Sequence, residues 1–249
     1  MSDSIVIIPT YNEKENIERI IRKVFSLEKS FDILVIDDGS PDQTNVIVKT
    51  LQAEFPDRLF LIERTGKLGL GTAYITGFKW ACQKNYGFIF EMDADFSHNP
   101  VDLIQLYNAC SVDGADVAIG SRYKNGVNVV NWPMGRVIMS YYASFYVRTV
   151  TGMDIRDTTA GFKCYKRKVL ETIEFERIKF KGYAFQIEMK FNAWKHGFRI
   201  IEVPIVFTER KEGASKMSRK IFYEAVFGVL IMKAKSLFKK YNRINQTKK

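Results

Sequence analysis

Short apolar segments alternate along this chain with segments whose apolar residues recur at helical spacing. Residues 5–8 are typical of a buried strand. The apolar residues that follow share the i, i+3, i+4, i+7 spacing of one helix face: Ile17, Ile20, Ile21 and Val24. This alternation favours folds in which helices pack against a sheet.

The same alternation continues through the first half of the chain. Further strands are predicted at residues 33–36, 59–62, 88–92 and 116–119, and helices at residues 44–55, 72–83 and 101–110. Asn12 and Glu15 resemble a capping box at the start of the first helix. Strands this rich in Val and Ile are too apolar to face water, so the pattern predicts an α/β fold whose mainly parallel central sheet carries helices on both faces.

The second half of the chain is less regular. It predicts a long helix at residues 134–150, a short strand at 162–165, a helix at 185–196 and a strand at 200–203. No internal repeat or low-complexity linker divides the chain. A length of 249 residues with 46% hydrophobic content allows a large core, so we expect one domain over residues 1–218, followed by a basic helix and tail over residues 219–249.

The cysteines and the N-terminal region indicate a cytoplasmic protein. Cys82, Cys110 and Cys164 include no CxxC pair, which predicts reduced thiols and argues against a disulfide framework or a zinc site. The apolar run at residues 5–8 ends at Pro9 and follows no basic segment, so we expect no signal peptide. No uninterrupted apolar stretch reaches the roughly 20 residues that a membrane-spanning helix needs.

Positive charge is concentrated near the C-terminal end. The formal net charge is +10, and residues 205–249 carry twelve Lys or Arg residues against three Glu, a net charge of +9. Within this region residues 221–232 are apolar apart from Glu224, and four lysines follow: Lys233, Lys235, Lys239 and Lys240. The segment predicts either an amphipathic basic helix at an anionic membrane surface or an ordinary helix packed against the domain.

Polar side chains follow four of the predicted strands. In a parallel sheet the carboxyl ends of the strands share an edge, and ligands bind beyond that edge. The residues are Pro9, Thr10, Tyr11, Asn12 and Glu13 after the first strand, Asp37, Asp38, Gly39 and Ser40 after the second, Asp93, Ala94 and Asp95 after the fourth, and Gly120, Ser121 and Arg122 after the fifth. Each group alone is typical of turns and helix starts. Their convergence on one edge indicates a ligand site.

Asp93 and Asp95, in EMDADFSH, are the strongest candidates for metal ligands. Residues i and i+2 of an extended segment point the same way, so both carboxylates would face one spot. Carboxylates without a Cys/His cluster select Mg²⁺ or Mn²⁺, and substrate phosphates usually complete the coordination of such ions. Cations that phosphates would need are available at Arg122, Arg210, Lys211 and Lys216. The pattern therefore predicts a metal-bridged diphosphate.

The glycine-rich run RTGKLGLGTAY is a weaker signal. Gly66, Gly69 and Gly71 match neither the GxxxxGK[ST] nor the GxGxxG phosphate loop. We interpret the run as a loop and a helix start.

Successive segments from about residue 4 to residue 218 resemble the motifs of the family 2 inverting glycosyltransferases. They are VIIPTYNEKENI, VIDDGSPDQT, KLGLGTAYITGF, EMDADFSH, GSRY, AGFKCYKR, GYAFQIEM and ERKEGASKM. More narrowly, they resemble the dolichyl- or polyprenyl-phosphate mannosyltransferase group. The resemblance implies a GT-A (Rossmann-like) fold, a nucleotide-sugar donor with GDP-mannose favoured, Mg²⁺ or Mn²⁺, and a lipid-phosphate acceptor.

The resemblance also implies roles for individual residues. The nucleotide base and ribose would lie against Pro9, Tyr11, Glu13, Ile36 and Asp38. Asp93 and Asp95 would hold the metal and the donor diphosphate, with the small Ala94 allowing the nucleotide to approach. Phosphate or sugar contacts would come from Arg122, Arg210 and Lys216, and the acceptor phosphate would bind Arg136 and Ser140. Asp95, Arg210 and Lys216 would then be the catalytic residues.

Two positions depart from related sequences. Some relatives carry Gln as a further metal ligand where this chain has Ser97, so a serine hydroxyl or water would have to substitute. Relatives that glycosylate a hydroxyl carry an Asp base where this chain has Gln186, which cannot accept a proton. A phosphate monoester, with a second pKa of about 6, needs no base. The absence of an Asp at this position therefore favours a phosphate acceptor. The alternative is a hydroxyl acceptor with Glu188 as the base.

Three functions from different classes follow from these observations. The first is a peripheral enzyme on the cytoplasmic face of a membrane that glycosylates a polyprenyl phosphate, with a membrane-protein partner left open. The second is a family 2 transferase that uses another nucleotide sugar, such as a glucose or GlcNAc donor, or a hydroxyl acceptor. The third is a non-catalytic nucleotide- or nucleic-acid-binding protein whose basic tail is the binding surface; acids at the sheet edge argue against nucleic acid.

Overall fold

The computed structural model describes residues 2–209, 219–238 and 241. Its strands are β1 (Ser4–Thr10), β2 (Asp32–Asp37), β3 (Leu59–Glu63), β4 (Phe88–Glu91), β5 (Val117–Ser121), β6 (Val129–Val130), β7 (Lys163–Lys166), β8 (Ile200–Pro204) and β9 (Phe207–Thr208). Its helices are α1 (Ile17–Phe25), α2 (Thr44–Glu54), α3 (Leu70–Gln83), α4 (Asp102–Ser111), α5 (Met134–Thr151), α6 (Arg167–Thr172), α7 (Tyr183–Lys195) and α8 (Arg219–Phe238), with a 3-10 turn at Phe175–Arg177.

A seven-stranded sheet with the order β3-β2-β1-β4-β7-β5-β8 forms the centre of the fold. Every pairing in it is parallel except those of β7, which runs antiparallel to both β4 and β5. The expectation of a mainly parallel sheet is therefore confirmed. β6 and β9 pair separately, beside the carboxyl edge of the large sheet.

Two apolar layers cover the two faces of the sheet. Alternate residues of β1 point to opposite faces, as the two-residue period of a strand requires. Ile5 and Ile7 join the core formed with α3, α5, α6, α7 and α8, whereas Val6 and Ile8 join the core formed with α1, α2 and α4. Burial of such a side chain contributes about 1.5–3 kcal/mol, which makes the register of β1 a strong determinant of the fold.

Gly69, Gly71 and Gly77 serve the start and the packing of α3. Gly69 immediately precedes α3 with a φ of +104°, a conformation that favours glycine. A Cβ at Gly77 would lie 2.7 Å from Ile7 Cγ2 of β1, and a Cβ at Gly71 would lie 2.7 Å from the Phe185 ring of α7. The interpretation of the RTGKLGLGTAY run as a loop and a helix start is confirmed. Glycine is needed at Gly71 and Gly77 because α3 approaches α7 and β1 closely at these positions.

The expected capping box at Asn12 and Glu15 is wrong. Helix α1 begins at Ile17, after Asn16, and has no side-chain cap. Asn12 has a φ of +60°, and its N–H donates to Ser40 Oγ at 3.0 Å. Ser40, in the loop after β2, therefore accepts the Asn12 N–H that the Glu15 side chain would have accepted in a capping box.

Helix α8 packs against α5 and leaves an apolar surface exposed. Lys233 Nζ donates to the Thr151 carbonyl at 3.0 Å, and Tyr146 Oη donates to the Val226 carbonyl at 2.9 Å. Among the side chains that the structure describes on these two helices, the exposed large apolar ones are Met134, Ile138, Met139, Tyr141, Tyr142 and Phe145 on α5 and Phe227, Leu230, Ile231, Leu237 and Phe238 on α8. Among the described residues, no helix has the length and apolar character needed to cross a bilayer.

Candidate active site

The loops after β1 and β2 are joined by the buried carboxylate of Asp37. Asp37 Oδ1 accepts the hydroxyls of Thr10 at 2.9 Å and Ser40 at 2.5 Å, and Asp37 Oδ2 accepts the Ser40 N–H at 2.9 Å. The Glu13 N–H donates to Thr44 Oγ1 at 3.0 Å. These bonds hold the loop at residues 10–13 against the loop at residues 37–44, which gives this part of the sheet edge a defined shape.

Asp38 is held by an arginine that the sequence reasoning did not identify. Arg64 Nη2 and Nε lie 2.5 and 2.6 Å from Asp38 Oδ1, and both side chains are only 9% exposed. Burial raises the pKa of Asp38 despite this opposing contribution from Arg64. Arg64 Nη1 also donates to Thr72 Oγ1 at 2.8 Å, at the start of α3. Asp38 is thus fixed in place beside the loop after β1.

The other predicted base and ribose contacts differ in exposure. Pro9, Tyr11 and Glu13 are partly exposed at the sheet edge, and Lys67 Nζ lies 4.7 Å from the centre of the Tyr11 ring. Ile36 is 0% exposed within the core beneath α3. The structure therefore brings Pro9, Tyr11, Glu13 and Asp38 to the sheet edge. Ile36 pairs with Pro9 in the register of β1 and β2, with its side chain in the core, and its contact with the nucleotide stays a prediction.

Asp93 lies just beyond β4 with little stabilisation from the protein. Tyr74 Oη donates to Asp93 Oδ1 over a long 3.4 Å, and the Asp93 side chain is 39% exposed. Loss of surrounding water and the negative charges of Asp95 and Glu91 raise the pKa of Asp93 to about 7. A cation beside this carboxylate would relieve that repulsion, as expected of a metal-binding position.

The rest of the EMDADFSH segment forms a tight loop. The Ser97 N–H donates to Asp95 Oδ1 at 3.0 Å, and the Asp93 N–H donates to His98 Nδ1 at 3.2 Å. Burial lowers the pKa of His98 to about 4, so this ring is neutral near pH 7. Ala94 is 3% exposed and packs into the core.

The oxygen donors of this loop fit a hard divalent cation. Asp93 and Asp95 supply carboxylates, and the buried Ser97 Oγ makes no hydrogen bond within the part of the chain that the structure describes. Over the same residues, no group of three or more His, Cys, Asp or Glu side chains is arranged to hold a metal ion. A cation held by Asp93 and Asp95 would share its coordination with a diphosphate or water, as Mg²⁺ usually does in proteins.

A buried polar network lies behind Asp93. Lys163 Nζ lies 3.1 Å from Glu91 Oε2, with both side chains fully buried. Gln186 Nε2 donates to Glu91 Oε2 at 2.7 Å, while Gln186 Oε1 accepts from Lys163. The position that would hold a base in the hydroxyl-acceptor reading is thus occupied by an amide bonded to two buried neighbours.

Glu188, the rival candidate for a base, binds the backbone. Its Oε2 accepts the N–H groups of Lys179 and Phe180 at 2.9 and 3.1 Å, and the residue is 7% exposed. These bonds fit the structural role of a carboxylate that fixes the chain just before α7.

Arg122, just beyond β5, is paired with the fully buried Asp157. Arg122 Nε and Nη2 donate to the two Asp157 oxygens at 2.7 and 2.6 Å, and Nη2 also donates to Thr159 Oγ1 at 2.7 Å. The positive charge of Arg122 holds the pKa of Asp157 below its ordinary value although burial acts in the opposite direction. The Trp132 and Phe207 rings lie 5.4 and 5.6 Å from the Arg122 guanidinium.

Arg136 lies near the start of α5, beside the same aromatic side chains. Its guanidinium lies 4.2 Å from the centre of the Trp132 ring, and Nη1 donates to both carboxylate oxygens of Glu209. Ser140, one helical turn further along, is partly exposed. Arg136 and Ser140, four residues apart, therefore lie on one side of α5. The acceptor-phosphate contact that the resemblance implied for them stays a prediction.

The predicted basic loop lies outside the described residues. Arg210, Lys211, Gly213 and Lys216 all belong to residues 210–218, for which no placement is given. The roles expected for Arg210 and Lys216 stay predictions.

Charged partners deep in the fold were the residues that sequence reasoning missed. Arg64, Asp157 and Lys163 were not assigned roles, and His98 was quoted only as part of a motif. One signal was available: Glu91 and Lys163 have opposite charges and both lie in segments predicted to be buried strands, where unpaired charge is costly.

Solved structures with the same architecture define the fold. Glucosyl-3-phosphoglycerate synthase from Mycobacterium tuberculosis, crystallised with Mn²⁺, UDP-glucose and phosphoglyceric acid, matches with a TM-score of 0.66 at 15% identity, over 93% of this chain and 80% of that one. A mannosyltransferase from Pyrobaculum calidifontis, in complex with GDP-Man and Mn²⁺, matches with a TM-score of 0.59 at 18% identity, over 96% of this chain and 65% of that one. The fold is the GT-A fold of glycosyltransferases.

Sequence relatives then define the family. The family model "Glycosyl transferase family 2" matches residues 5–174. Polyprenol monophosphomannose synthase from Mycolicibacterium smegmatis is 47% identical over 226 residues, 91% of this chain and 85% of that protein. Undecaprenyl-phosphate mannosyltransferase from Micrococcus luteus is 44% identical over 225 residues, 90% of this chain and 91% of that protein. The chain belongs to glycosyl transferase family 2 and is a glycosyltransferase, so the non-catalytic alternative is wrong.

Proposed function

We propose that this glycosyltransferase moves mannose from GDP-mannose to the phosphate of a polyprenyl phosphate, with inversion at the anomeric carbon and with Mg²⁺ or Mn²⁺. The observation that carries the proposal is the 47% identity, over 91% of the chain, to a polyprenol monophosphomannose synthase. The GDP-Man complex of a structural relative supports the same donor class.

The donor binds at the carboxyl edge of β1, β2 and β4. The nucleotide lies against Pro9, Tyr11, Glu13 and Asp38, while Asp93 and Asp95 hold the metal and the diphosphate. A metal held by Asp93 and Asp95 would supply positive charge against the negative charge that develops on the departing nucleoside diphosphate. Arg210 and Lys216, outside the described residues, contribute further positive charge to the same diphosphate.

The acceptor phosphate attacks without a protein base. A phosphate monoester with a second pKa of about 6 is already an anionic nucleophile near pH 7. Two observations support this step: Gln186 is bonded to Glu91 and Lys163, and the Glu188 carboxylate accepts two backbone N–H groups. Neither side chain is arranged to take a proton from a hydroxyl acceptor.

The acceptor binds along the exposed side of α5. Arg136 and Ser140 bind its phosphate, and Met139, which lies on the same side of α5 and is 41% exposed, faces the isoprenoid chain.

Residues 1–218 form the catalytic domain, and residues 219–249 attach it to the membrane surface. The exposed apolar residues of α5 and α8 enter the acyl boundary while the exposed Lys235 lies among anionic headgroups. The protein is then a peripheral enzyme on the cytoplasmic face of a membrane.

A donor and acceptor panel tests the reaction. The purified full-length protein is offered GDP-mannose, UDP-glucose or UDP-GlcNAc with a short polyprenyl phosphate and Mg²⁺ or Mn²⁺, and the lipid product is identified by mass spectrometry. The expected product is a mannosyl phosphopolyprenol, formed only with metal. Transfer to a free saccharide, abolished by Glu188→Gln, would favour the hydroxyl-acceptor alternative instead.

Flotation with anionic liposomes tests the membrane surface. Phe145→Ser and Phe238→Ser remove two exposed apolar side chains and should reduce recovery in the lipid fraction by several-fold. Val112→Ser, which replaces a 76% exposed valine next to α4, is the matched control and should float like the unmodified protein. Equal recovery of all three variants would contradict the assignment of this surface.

A further inference from the structure

The loop from Asp93 to His98 adopts a conformation that needs support. Phe96 has a φ of +59°, in the left-handed region that bulky side chains rarely adopt. Such a backbone persists only where the surrounding structure holds it, and it is concentrated at functional sites. Two hydrogen bonds close the loop, from the Ser97 N–H to Asp95 and from the Asp93 N–H to His98.

The His98 ring is held firmly from both sides. The residue is 3% exposed, its ring stacks on Phe162 with centroids 4.8 Å apart, and the Phe207 ring meets it edge-on at 5.4 Å. Phe162 directly precedes β7, and Phe207 begins β9. Two elements from the second half of the chain therefore fix the direction in which His98 Nδ1 points.

The hydrogen bond to Asp93 also fixes the tautomer. Because Nδ1 accepts the Asp93 N–H at 3.2 Å, it carries no proton, and the proton of the neutral ring is on Nε2. His98 lines a cavity of about 20 Å³ with Gly120, Arg122 and Gly161, which has room for one water molecule. Nδ1 of His98 is thus the hydrogen-bond acceptor for the backbone N–H of Asp93, a proposed metal ligand.

We propose that His98 is a positioning residue for the metal and diphosphate site. By accepting the Asp93 N–H, it holds the Asp93–His98 loop in the shape that directs Asp93 and Asp95 at the same cation. The inference rests on the proposed function, because it assumes that these two aspartates hold the metal. It adds a residue that touches neither substrate nor metal and acts through the Asp93 backbone.

Two substitutions separate the roles of the ring nitrogens. In His98→Asn the amide oxygen can take the place of Nδ1 and accept the Asp93 N–H, whereas in His98→Gln the longer side chain carries its amide to the place of Nε2. The chain contains two histidines. His196→Asn, at the end of α7, is therefore the matched control for loss of a buried imidazole.

Metal affinity is the decisive measurement. Mn²⁺ binding is followed by electron paramagnetic resonance with Mn²⁺ alone, with GDP and with UDP, and thermal unfolding is recorded without metal to confirm folding. His98→Gln should weaken Mn²⁺ binding about 10- to 100-fold, the range found when a residue supporting a metal ligand is lost. His98→Asn should stay within about threefold and His196→Asn should match the unmodified protein, whereas a purely structural role would lower the unfolding temperature and leave the affinity of the folded protein unchanged.

Nitrogen NMR of the unmodified protein gives a second test that needs no variant to fold at normal stability. With ¹⁵N-labelled histidine, Nδ1 of His98 should show the shift of an unprotonated acceptor nitrogen. A protonated Nδ1, or equal Mn²⁺ affinities of His98→Asn and His98→Gln, would overturn the inference alone. Failure of the unmodified protein to bind Mn²⁺ with either nucleotide would instead overturn the donor site of the proposed function.

Discussion

Two strand ends of the central sheet carry a pair of aspartates, and their surroundings differ. After β2, Asp37 accepts hydrogen bonds from Thr10 and Ser40, and Asp38 is paired with Arg64. After β4, Asp93 receives a single 3.4 Å hydrogen bond from Tyr74 among the described residues, and its pKa is raised to about 7. The fold thus supplies partners for both carboxylates of the first pair, whereas Asp93 of the second pair keeps a charge repulsion that a bound cation would relieve.

We expect Asp37 and the Asp38–Arg64 pair to contribute to stability, with Asp38 also meeting the nucleotide. We expect Asp93 and Asp95 to contribute to catalysis, Asp93 at some expense of stability. Substitutions at the two strand ends can test that division.

Removal of Asp95 should have the largest effect. Asp95→Ala takes away one of two carboxylates proposed for the metal, and a loss of several kcal/mol of charge stabilisation corresponds to a fall in turnover of about 10³-fold or more. Radiolabelled mannose transferred from GDP-mannose into an organic extract measures the rate. The unfolding temperature without metal should fall only modestly, because the Ser97 N–H loses its acceptor, and a variant that keeps normal turnover would remove Asp95 from the site.

Removal of Arg64 should cause the next largest effect, on stability. Arg64→Leu leaves the Asp38 carboxylate buried without its partner, which should cost about 3 kcal/mol. Urea denaturation of the metal-free protein measures this free energy of unfolding. The double variant Asp38→Leu/Arg64→Leu should recover most of the loss, because no unpaired charge is left; equal destabilisation of both variants would show that packing, not charge, is what Arg64 contributes.

Asp93→Asn should have the smallest effect and the opposite sign. The folded-state pKa of about 7 lies above the ordinary 3.8, so the folded protein binds this proton more tightly and loses stability as the pH rises from about 4 through 7. Asparagine does not titrate. In chelator-treated protein the free energy of unfolding of Asp93→Asn should equal that of the unmodified protein below about pH 4 and exceed it by about 1–2 kcal/mol at pH 8. This difference is reduced because the Asp93 side chain is 39% exposed.

Urea titrations of both proteins at several pH values check this prediction. A pH-independent difference, or a destabilised Asp93→Asn protein at pH 8, would show that Asp93 is compensated within the fold like Asp37.

Local sequence patterns predicted the parts of the fold that local forces determine. The strands at residues 33–36 and 59–62 correspond to β2 and β3 because apolar periodicity and burial agree there. Asp93 was correctly expected just beyond β4, since strand direction alone brings such residues to the shared edge.

Pairings between distant residues could not be predicted in the same way. Arg122 and Asp157, or Glu91 and Lys163, meet only because the sheet order brings their strands and loops together. The antiparallel direction of β7 also has no local signature. The capping box failed for the same reason, because Ser40, far from Asn12 in sequence, binds its backbone N–H.

The antiparallel strand β7 has a consequence for synthesis of the protein. Glu91 ends β4, yet Lys163 and Gln186, which compensate its buried charge, emerge from the ribosome much later. Until then a nascent chain that has completed β1–β4 carries a carboxylate without a partner and an open strand edge on β4, which is prone to pair wrongly. The N-terminal half, despite its regular strand and helix order, should therefore depend on chaperones or on rapid elongation until β7 inserts beside it.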